Sequence, residues 1–267
     1  MADAAKPGKV WLIGAGPGAA DLLTLRAARL LEQADIVFYD ALVNAETIAL
    51  AVRAKTVAVG KRCGRLSAAQ RFINKRLIDA AREHDTVVRL KGGDPMMFGR
   101  AQEEIDALVA AGIDCEVVPG VTAALAASAQ VGVSLTRRAL ARSVTFATPS
   151  VGLDEAPSDW AASVLAADTA ILYMASRDAG AIATALIARG KPAGMPVAVV
   201  RNASLPDSEV LFTTLAGLCA GLGGDGRPAV LCLGEVYREA LQRACAVGLQ
   251  GQHSGDLLWP QAANGRC

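Results

Sequence analysis

The sequence predicts an α/β protein of two domains, and three observations support this fold class. Short apolar runs alternate with segments whose apolar residues recur about every 3.6 positions, as expected of strands followed by helices. Hydrophobic residues make up 52% of the 267 residues and aromatic residues only 4%, which is typical of proteins whose helices pack closely on a sheet. The pattern of runs changes after Thr136, which indicates a second sheet of different construction.

The first domain is predicted to contain a mostly parallel sheet of five strands with helices on its faces, because strands and helices alternate along it. The predicted strands are residues 10–13, 36–39, 56–59, 86–90 and 115–118. The predicted helices between them are residues 23–33, 45–52, 67–82 and 101–111.

The second domain is predicted to contain a mixed sheet, with strands at residues 144–147, 170–173, 197–200, 210–213 and 230–234 and helices at 179–188 and 237–246. Two consecutive strand runs flank the polar loop 202–208 and therefore predict a hairpin. We place the domains at residues 1–130 and 131–247, bridged by a helix at 122–130. Residues 248–267 show little periodicity, so we expect a mobile tail there.

Composition argues against several classes of protein. The net charge is +1 and charges of both signs are interleaved, which gives little support to nucleic-acid binding. The six cysteines form no CxxC pair and only two histidines are present, so we expect no metal site and reduced thiols in a cytoplasmic protein.

We expect neither a membrane span nor a secretory signal. The uncharged stretch 117–136 contains proline, glycines and polar residues, so we interpret it as a buried helix with flanking loops. The amino terminus is short and polar. Because the chain begins at the first predicted strand and ends soon after the last, we also expect no fused dehydrogenase or chelatase region.

The loop after the first predicted strand suggests a dinucleotide enzyme. Residues 14–19 read GAGPGA, which fits the G-x-G-x-x-A fingerprint, and Asp40 ends the next strand at the distance expected for a ribose contact. An NAD(P)- or FAD-dependent oxidoreductase is therefore an alternative. Pro17 fits this interpretation poorly, because proline removes an amide that a phosphate would bind.

Two further loops follow predicted strands at the edge where α/β folds bind ligands. LKGGDPMMFGR (residues 90–100) has paired glycines that let the backbone approach a ligand, and Asp94 is held extended by the following proline. VPGVTAA (residues 118–124) begins a helix at which Thr122 could offer its hydroxyl and the first amides to a ligand, or simply cap a core helix.

Together these segments resemble the tetrapyrrole methylase family, over residues 8 to 236. The motifs are VWLIGAGPG (10–18), LLTLRA (22–27), YDALV (39–43), VGKRCG (59–64), LKGGDPMMFGR (90–100), VPGVTAALAA (118–127), SLTRR (134–138), YM (173–174) and PVAVVRNAS (196–204). The resemblance implies a cofactor, S-adenosylmethionine, in the cleft between the two domains, and a homodimer. It also implies methylation of two ring carbons of uroporphyrinogen III to give precorrin-2, which feeds sirohaem and cobalamin synthesis.

The resemblance also assigns residues to roles. Asp40 and Lys61 would be the catalytic proton-transfer residues. The cofactor contacts would be Pro17, Gly92, Gly93, Asp94, Met97, Thr122, Ala123, Met174 and Ala203, several of them through backbone groups. Because uroporphyrinogen III carries carboxylates, which arginine binds well, we expect substrate contacts at Arg62, Arg100, Arg137 and Arg138, with Arg65 and Arg142 as further candidates.

The sequence departs from the family pattern mainly on the substrate side, at Ala19, Arg137, Thr148–Ser150, Ala175 and Ala203. These departures leave room for a related tetrapyrrole as substrate. They also leave room for a non-catalytic subunit that only binds the cofactor.

Overall fold

The structure is a computed structural model that describes residues 6–60, 66–151, 156, 158–223, 226–246 and 252–253, with the backbone alone at 66–69 and 252–253. The chain divides into two compact units, Met1–Ala123 and Ala124–Cys267. The division falls at the start of the helix that the sequence predicts as a bridge. Among the described residues, no helix combines the length and apolarity needed to cross a bilayer.

The first unit contains a five-stranded sheet in the order β3-β2-β4-β1-β5, and every pairing in it is parallel. Its strands are β1 (Lys9–Gly14), β2 (Ile36–Tyr39), β3 (Lys55–Ala58), β4 (Thr86–Lys91) and β5 (Cys115–Val118). Its helices are α1 (Leu25–Gln33), α2 (Ala45–Ala49), α3 (Leu66–Glu83) and α4 (Ala101–Ala110). The predicted parallel sheet is confirmed, with the strand at 56–59 shifted by one residue.

The central strand β4 separates two apolar layers. Val87 packs into the layer formed with Leu77 of α3 and Leu108 of α4, whereas Val88 packs on the opposite face against Leu31 of α1. Side chains alternate between the faces of a strand, so residues 89 and 91 share the face of Val87. The sequence places an arginine and a lysine at these two buried positions.

The second unit contains a six-stranded sheet in the order β11-β9-β8-β10-β7-β6, in which only β6 and β7 pair in parallel. Its strands are β6 (Val144–Ala147), β7 (Thr169–Leu172), β8 (Pro196–Arg201), β9 (Glu209–Thr214), β10 (Ala229–Gly234) and β11 (Gln252–His253). Its helices are α5 (Ala123–Val131), α6 (Trp160–Ala166), α7 (Ala179–Ala188), α8 (Leu215–Leu218) and α9 (Arg238–Ala246). The predicted mixed sheet and its β8–β9 hairpin are confirmed. The prediction of a tail from residue 248 is wrong at Gln252–His253, which pair with β9 as a sixth strand.

Two short helices, α6 and α8, are missing from the sequence prediction. The ends of α6 are nevertheless satisfied by side chains. Asp159 accepts a hydrogen bond from the amide of Ala162 at 3.3 Å, and the buried Lys191 donates to the carbonyls of Val164 and Ala167 at 2.9 and 3.3 Å. A cation that binds the carbonyls at the C-terminus of a helix interacts favourably with the helix dipole. Lys191 therefore stabilises the C-terminal end of α6.

The amino ends of the parallel strands β6 and β7 are joined by Asp168. Its Oδ2 accepts hydrogen bonds from the amide of Arg142 (2.8 Å) and from the amide and hydroxyl of Ser143 (3.0 and 2.8 Å). The Arg142 amide and the two Ser143 donors lower the pKa of this carboxyl. The ionised form of Asp168 is therefore the form that holds the strands together.

We expect Asp168→Ala to lower the free energy of unfolding near neutral pH. The folded pKa of Asp168 lies below the ordinary value of 3.8, so its contribution is present above that pH and is lost as the pH falls through the folded pKa. Urea unfolding of wild type and variant at about pH 7 and about pH 3 measures the effect. Equal differences at the two pH values would show that ionisation of Asp168 is irrelevant.

Candidate active site

The loops after β1 and β4 pair directly at the carboxyl edge of the parallel sheet. The amide of Ala15 donates to the carbonyl of Lys91 at 2.7 Å, which continues the ladder one residue beyond β1. Gly16 and Gly93 then exchange two N–H···O hydrogen bonds, of 3.2 and 2.7 Å, as an antiparallel bridge. The predicted glycine-rich segments are thus brought together as one backbone surface.

The loop after β5 approaches so closely that only glycine fits. A Cβ on Gly120 would lie 2.4 Å from the carbonyl oxygen of Gly93 and 2.8 Å from the Cα of Gly14. A Cβ on Gly14 would in turn lie 2.6 Å from the Cα of Gly120. Three adjacent strands therefore end in loops whose backbones contact one another directly.

Asp94 fastens two of these loops together. Its Oδ2 accepts a hydrogen bond from the amide of Gly120 at 2.9 Å, and its Oδ1 accepts one from the amide of Met96 at 2.8 Å. The amide of Met97 donates to the backbone carbonyl of Asp94 at 3.2 Å. Each carboxylate oxygen of Asp94 thus accepts a hydrogen bond from a backbone amide. This side chain therefore fixes the path of the GGDP segment, residues 92–95.

The segment from Met96 to Arg100 has an unusual backbone. Phe98 and Arg100 both have positive φ values, 52° and 55°, and a Cβ on Gly99 would lie 2.5 Å from the carbonyl oxygen of Pro95. Met96 and Phe98 expose 57% and 40% of their surface, which leaves apolar side chains beside the glycine loops. The guanidinium of Arg100 binds both carboxylate oxygens of Glu103, at 2.6 and 2.8 Å.

Asp40 lies at the same edge, one residue beyond β2. Its amide donates to the carbonyl of Leu90 at 3.2 Å, and its Oδ1 accepts from Nη2 of Arg89 at 2.5 Å. The loop that Asp40 begins also contacts the β4 loop, since a Cβ on Gly92 would lie 3.2 Å from the Cβ of Leu42. The predicted proton-transfer carboxylate is therefore next to the predicted cofactor loop. The other residues predicted for this region, Lys61, Arg62 and Arg65, lie outside the described residues.

A buried charge cluster supports Asp40, and sequence reasoning missed it. Arg89 binds Glu104 through Nε at 2.9 Å, and Lys91 binds the other oxygen of Glu104 at 2.9 Å. Gln70 donates to the same carboxylate at 3.1 Å. The available signal was the alternation in TVVRLK, which places two cations on one face of a buried strand.

Burial and charge set the pKa values of the two cations in opposite directions. Burial lowers the pKa of Lys91, and the neighbouring Arg89 lowers it further against the pull of Glu104. Burial also opposes the charge of Arg89, but the carboxylates of Glu104 and Asp40 outweigh it and raise the pKa. Arg89 is thus charged at any working pH, whereas Lys91 is the weaker cation of the cluster.

Thr122 and Ala123 follow the β5 loop and lead into α5. Thr122 is buried, and its Cα lies 3.9 Å from the position of a Cβ on Gly93. Thr122 is therefore part of the same group of loops, and Ala123 is the first residue of α5.

In the second unit, the predicted cofactor residues lie in two turns with positive φ values. Met174, which exposes 55% of its surface, follows β7 with φ 53°. The buried Ala203 lies between Asn202 (φ 46°) and Ser204 (φ 72°), and the Ser204 amide donates to Oε1 of Gln130 at 3.1 Å. Met174 and the two neighbours of Ala203 thus adopt backbone conformations that L residues take only when their surroundings require it.

The predicted substrate arginines of the second unit lie in a tight turn. Arg137 and Ala141 exchange backbone hydrogen bonds of 2.9 and 2.8 Å around Ala139, whose φ is 64°. A groove of about 620 Å³ is lined by Thr136, Arg137, Arg138, Ala139, Ala141 and Arg142. Arg137 is paired with Glu239 at 2.8 Å, whereas within the described part of the chain neither Arg138 nor Arg142 has an ion-pair partner.

The glycine loop after β1 does not begin a helix, which corrects the dinucleotide interpretation. A 3-10 turn at Ala20–Leu22 intervenes, and α1 begins at Leu25 rather than at residue 23. The N-cap of α1 is Thr24, whose hydroxyl accepts from the amide of Ala27 at 3.2 Å. A pyrophosphate site requires the loop itself to open into the helix, so the fingerprint here is a sequence coincidence.

Comparison with known proteins gives the family. The model of the tetrapyrrole (corrin/porphyrin) methylases matches residues 9–219. The chain is a member of this family, as the motifs predict.

Among similar proteins, siroheme synthase 1 of Cronobacter sakazakii is 45% identical over 250 residues, which are 93% of this chain and 52% of that protein. The chain spans about half the length of the curated relatives it matches. The solved uroporphyrin-III C-methyltransferase of Thermus thermophilus, complexed with S-adenosylhomocysteine, matches with a TM-score of 0.76 and 37% identity over 87% of this chain and all of its own. A cobalt precorrin-4 methyltransferase matches with a TM-score of 0.74 and 30% identity, over 85% of this chain and 95% of its own.

We expect Gly120→Ala to disrupt the edge of the first unit. The added Cβ must displace the backbone of Gly93 or Gly14, so we expect a loss of about 1–3 kcal/mol in the free energy of unfolding and at least tenfold weaker binding of S-adenosylhomocysteine. Denaturant unfolding and calorimetric titration measure the two effects. The matched control is Gly194→Ala, because a Cβ there meets no atom within 4 Å. Equal behaviour of the two variants would contradict the expectation.

Proposed function

We propose that this chain is an S-adenosylmethionine-dependent methyltransferase that methylates two ring carbons of uroporphyrinogen III to give precorrin-2. The observation that carries the proposal is the group of glycine loops fastened by Asp94, in a chain of the tetrapyrrole methylase family. Similarity to a uroporphyrin-III C-methyltransferase that binds S-adenosylhomocysteine supports the choice of cofactor and substrate.

The loops of the first unit fit the cofactor because they offer a backbone surface without side chains at its closest points. We propose cofactor contacts there at Pro17, Gly92, Gly93, Asp94, Met97, Thr122 and Ala123, with Asp94 acting by holding the loops in place. In the second unit we propose Met174 and Ala203, on the resemblance of their motifs. When bound, S-adenosylmethionine supplies a methyl group activated by the sulfonium charge.

Asp40 is the proposed proton acceptor. After a pyrrole carbon gains a methyl group, the ring is positively charged and must lose a proton. A nearby carboxylate can stabilise the positive ring and accept that proton. Within the described part of the chain, Oδ1 of Asp40 is held by Arg89 and Oδ2 has no hydrogen-bond partner. Oδ2 is therefore the oxygen we assign to the substrate. Lys61 is proposed as its partner, to donate a proton or to hold a substrate carboxylate.

Arginines are proposed to bind the substrate carboxylates. The groove of the second unit supports Arg138, together with Arg142, as the residues with charge available for a ligand. Arg137 would have to give up part of its pairing with Glu239. Arg100 would bind while retaining Glu103, and Arg62 is proposed on the resemblance alone. A homodimer is likewise proposed on the resemblance alone.

A related macrocycle is the second candidate substrate. The similarity to a cobalt precorrin-4 methyltransferase favours it, because that protein matches most of this chain at nearly the same TM-score. The departures at Arg137 and Thr148–Ser150 are on the substrate side, where such a difference would be found.

An oxygen-free methylation assay tests the proposal. Purified protein is incubated with uroporphyrinogen III and isotope-labelled S-adenosylmethionine, and the products are identified by mass. We expect two labelled methyl groups per macrocycle. Cofactor binding without methylation of uroporphyrinogen III, followed by turnover of a more methylated precorrin, would favour the second candidate. Cofactor binding without turnover of any macrocycle would overturn both.

We expect Arg138→Ala to raise the KM for uroporphyrinogen III about tenfold, because one charge-assisted hydrogen bond to a carboxylate is lost. Arg137→Ala should raise the KM less, because the guanidinium of Arg137 is already paired with Glu239. Steady-state kinetics with both variants measure the effect. Arg189→Ala, which breaks an exposed pair with Asp159, is the control and should leave the KM unchanged. An unchanged KM in Arg138→Ala would remove the groove from the substrate site.

A further inference from the structure

We infer that Glu104, a residue of α4 that contacts neither Asp40 nor the surface, positions the Asp40 carboxylate through Arg89. The inference rests on the proposed function, because it concerns the carboxylate assigned there to proton transfer. Glu104 is a positioning residue in this scheme, and Arg89 is the connection between the two carboxylates.

The guanidinium of Arg89 is fixed on several sides. Its Nε donates to Glu104 at 2.9 Å and its Nη2 donates to Asp40 at 2.5 Å. Its Nη1 donates to the carbonyls of Leu90 at 3.2 Å and Phe38 at 3.5 Å. Because the guanidinium is planar, a bond on the Nε edge determines the direction in which Nη2 points.

The direction of Nη2 of Arg89 sets the orientation of the Asp40 carboxylate. Its backbone is held at both ends, since its amide donates to Leu90 and its carbonyl accepts from the amide of Val43, each at 3.2 Å. The side chain of Asp40 is 30% exposed, whereas the side chain of Arg89 is only 2% exposed. A buried, rigid cation therefore grips the inner oxygen of Asp40 and leaves the outer oxygen at the edge of the sheet.

Glu104 is held as firmly as Arg89. Its side chain is fully buried, and Lys91 and Gln70 donate to it at 2.9 and 3.1 Å. Arg89 pairs with both Asp40 and Glu104, and Lys91 supplies a second positive charge beside Glu104. The cluster therefore contains two acidic and two basic side chains. A buried ion cluster seldom stabilises a protein more than apolar residues of the same volume would. Its presence behind Asp40 is accounted for by the orientation that it imposes.

The test is a double-mutant cycle between Glu104→Gln and Asp40→Asn. Glu104→Gln keeps the shape of the side chain and removes its charge. We expect it to lower kcat about tenfold, with the affinity for S-adenosylhomocysteine changed less than about twofold. In the Asp40→Asn background the same change should cost less than about twofold, because Glu104 then has no carboxylate to position. Multiplicative losses in the two backgrounds would overturn the inference.

Two further variants separate positioning from stability. Lys191→Met removes a buried cation of the second unit, outside the proposed machinery, and should lower stability with kcat unchanged. Where Glu104→Gln does not yield folded protein, Glu104→Asp keeps the charge and shortens its reach, and we expect the same non-additivity.

A measurement without turnover separates this inference from the proposed function. The ¹³C signal of the Asp40 carboxyl is assigned by comparison with Asp40→Asn, in protein labelled at aspartate. We expect Glu104→Gln to shift that signal even if the wild type fails to methylate uroporphyrinogen III, in which case the function alone is wrong. An unmoved signal would show that Glu104 does not act on Asp40.

Discussion

Backbone contact at the carboxyl edge of the parallel sheet is the constraint on which the first unit depends. Gly14, Gly93 and Gly120 let the ends of three adjacent strands touch, and Asp94 holds the loops by accepting two backbone amides. A ligand at this edge meets peptide groups in fixed positions. Recognition by peptide groups requires a defined chain path, and parallel strands supply it because each loop leaves the sheet at the same edge.

The two units handle charge differently. In the first unit, Arg89 and Lys91 are buried beside the sheet and paired with carboxylates, so their effect is to fix geometry. In the second unit, arginines lie on an exposed turn and two of them have no ionic partner among the described residues. The first arrangement keeps the proposed proton acceptor in a fixed position, and the second leaves positive charge available for the carboxylates of the proposed substrate.

The alternation of apolar runs predicted the five strands of the first sheet, because a parallel strand buried on both faces leaves a continuous apolar signal. In the second sheet it predicted five of the six strands and not β11, which has only two residues and lies where a tail was expected. The alternation was insufficient at the start of α1, where Leu23 extends the apolar pattern although Thr24 caps the helix. The glycine motifs predicted loops at the carboxyl edge of the first sheet, and the structure brings these loops together there. The motifs could not identify Arg89 and Glu104 as partners of Asp40, since these contacts join residues far apart in sequence. Pairing of this kind depends on strand order, which periodicity does not encode.

Glu104 contacts two cations, Arg89 and Lys91, whose positions in the site differ. Lys91 immediately precedes the glycines of the proposed cofactor loop, and Arg89 holds Asp40. A change at Glu104 would thus alter the surroundings of both cations at once. Mutational paths through this position are therefore narrow, and variants that survive there should carry linked substitutions in β4. The cluster thereby ties the orientation of the proposed proton acceptor to the packing of α4 on the buried face of β4.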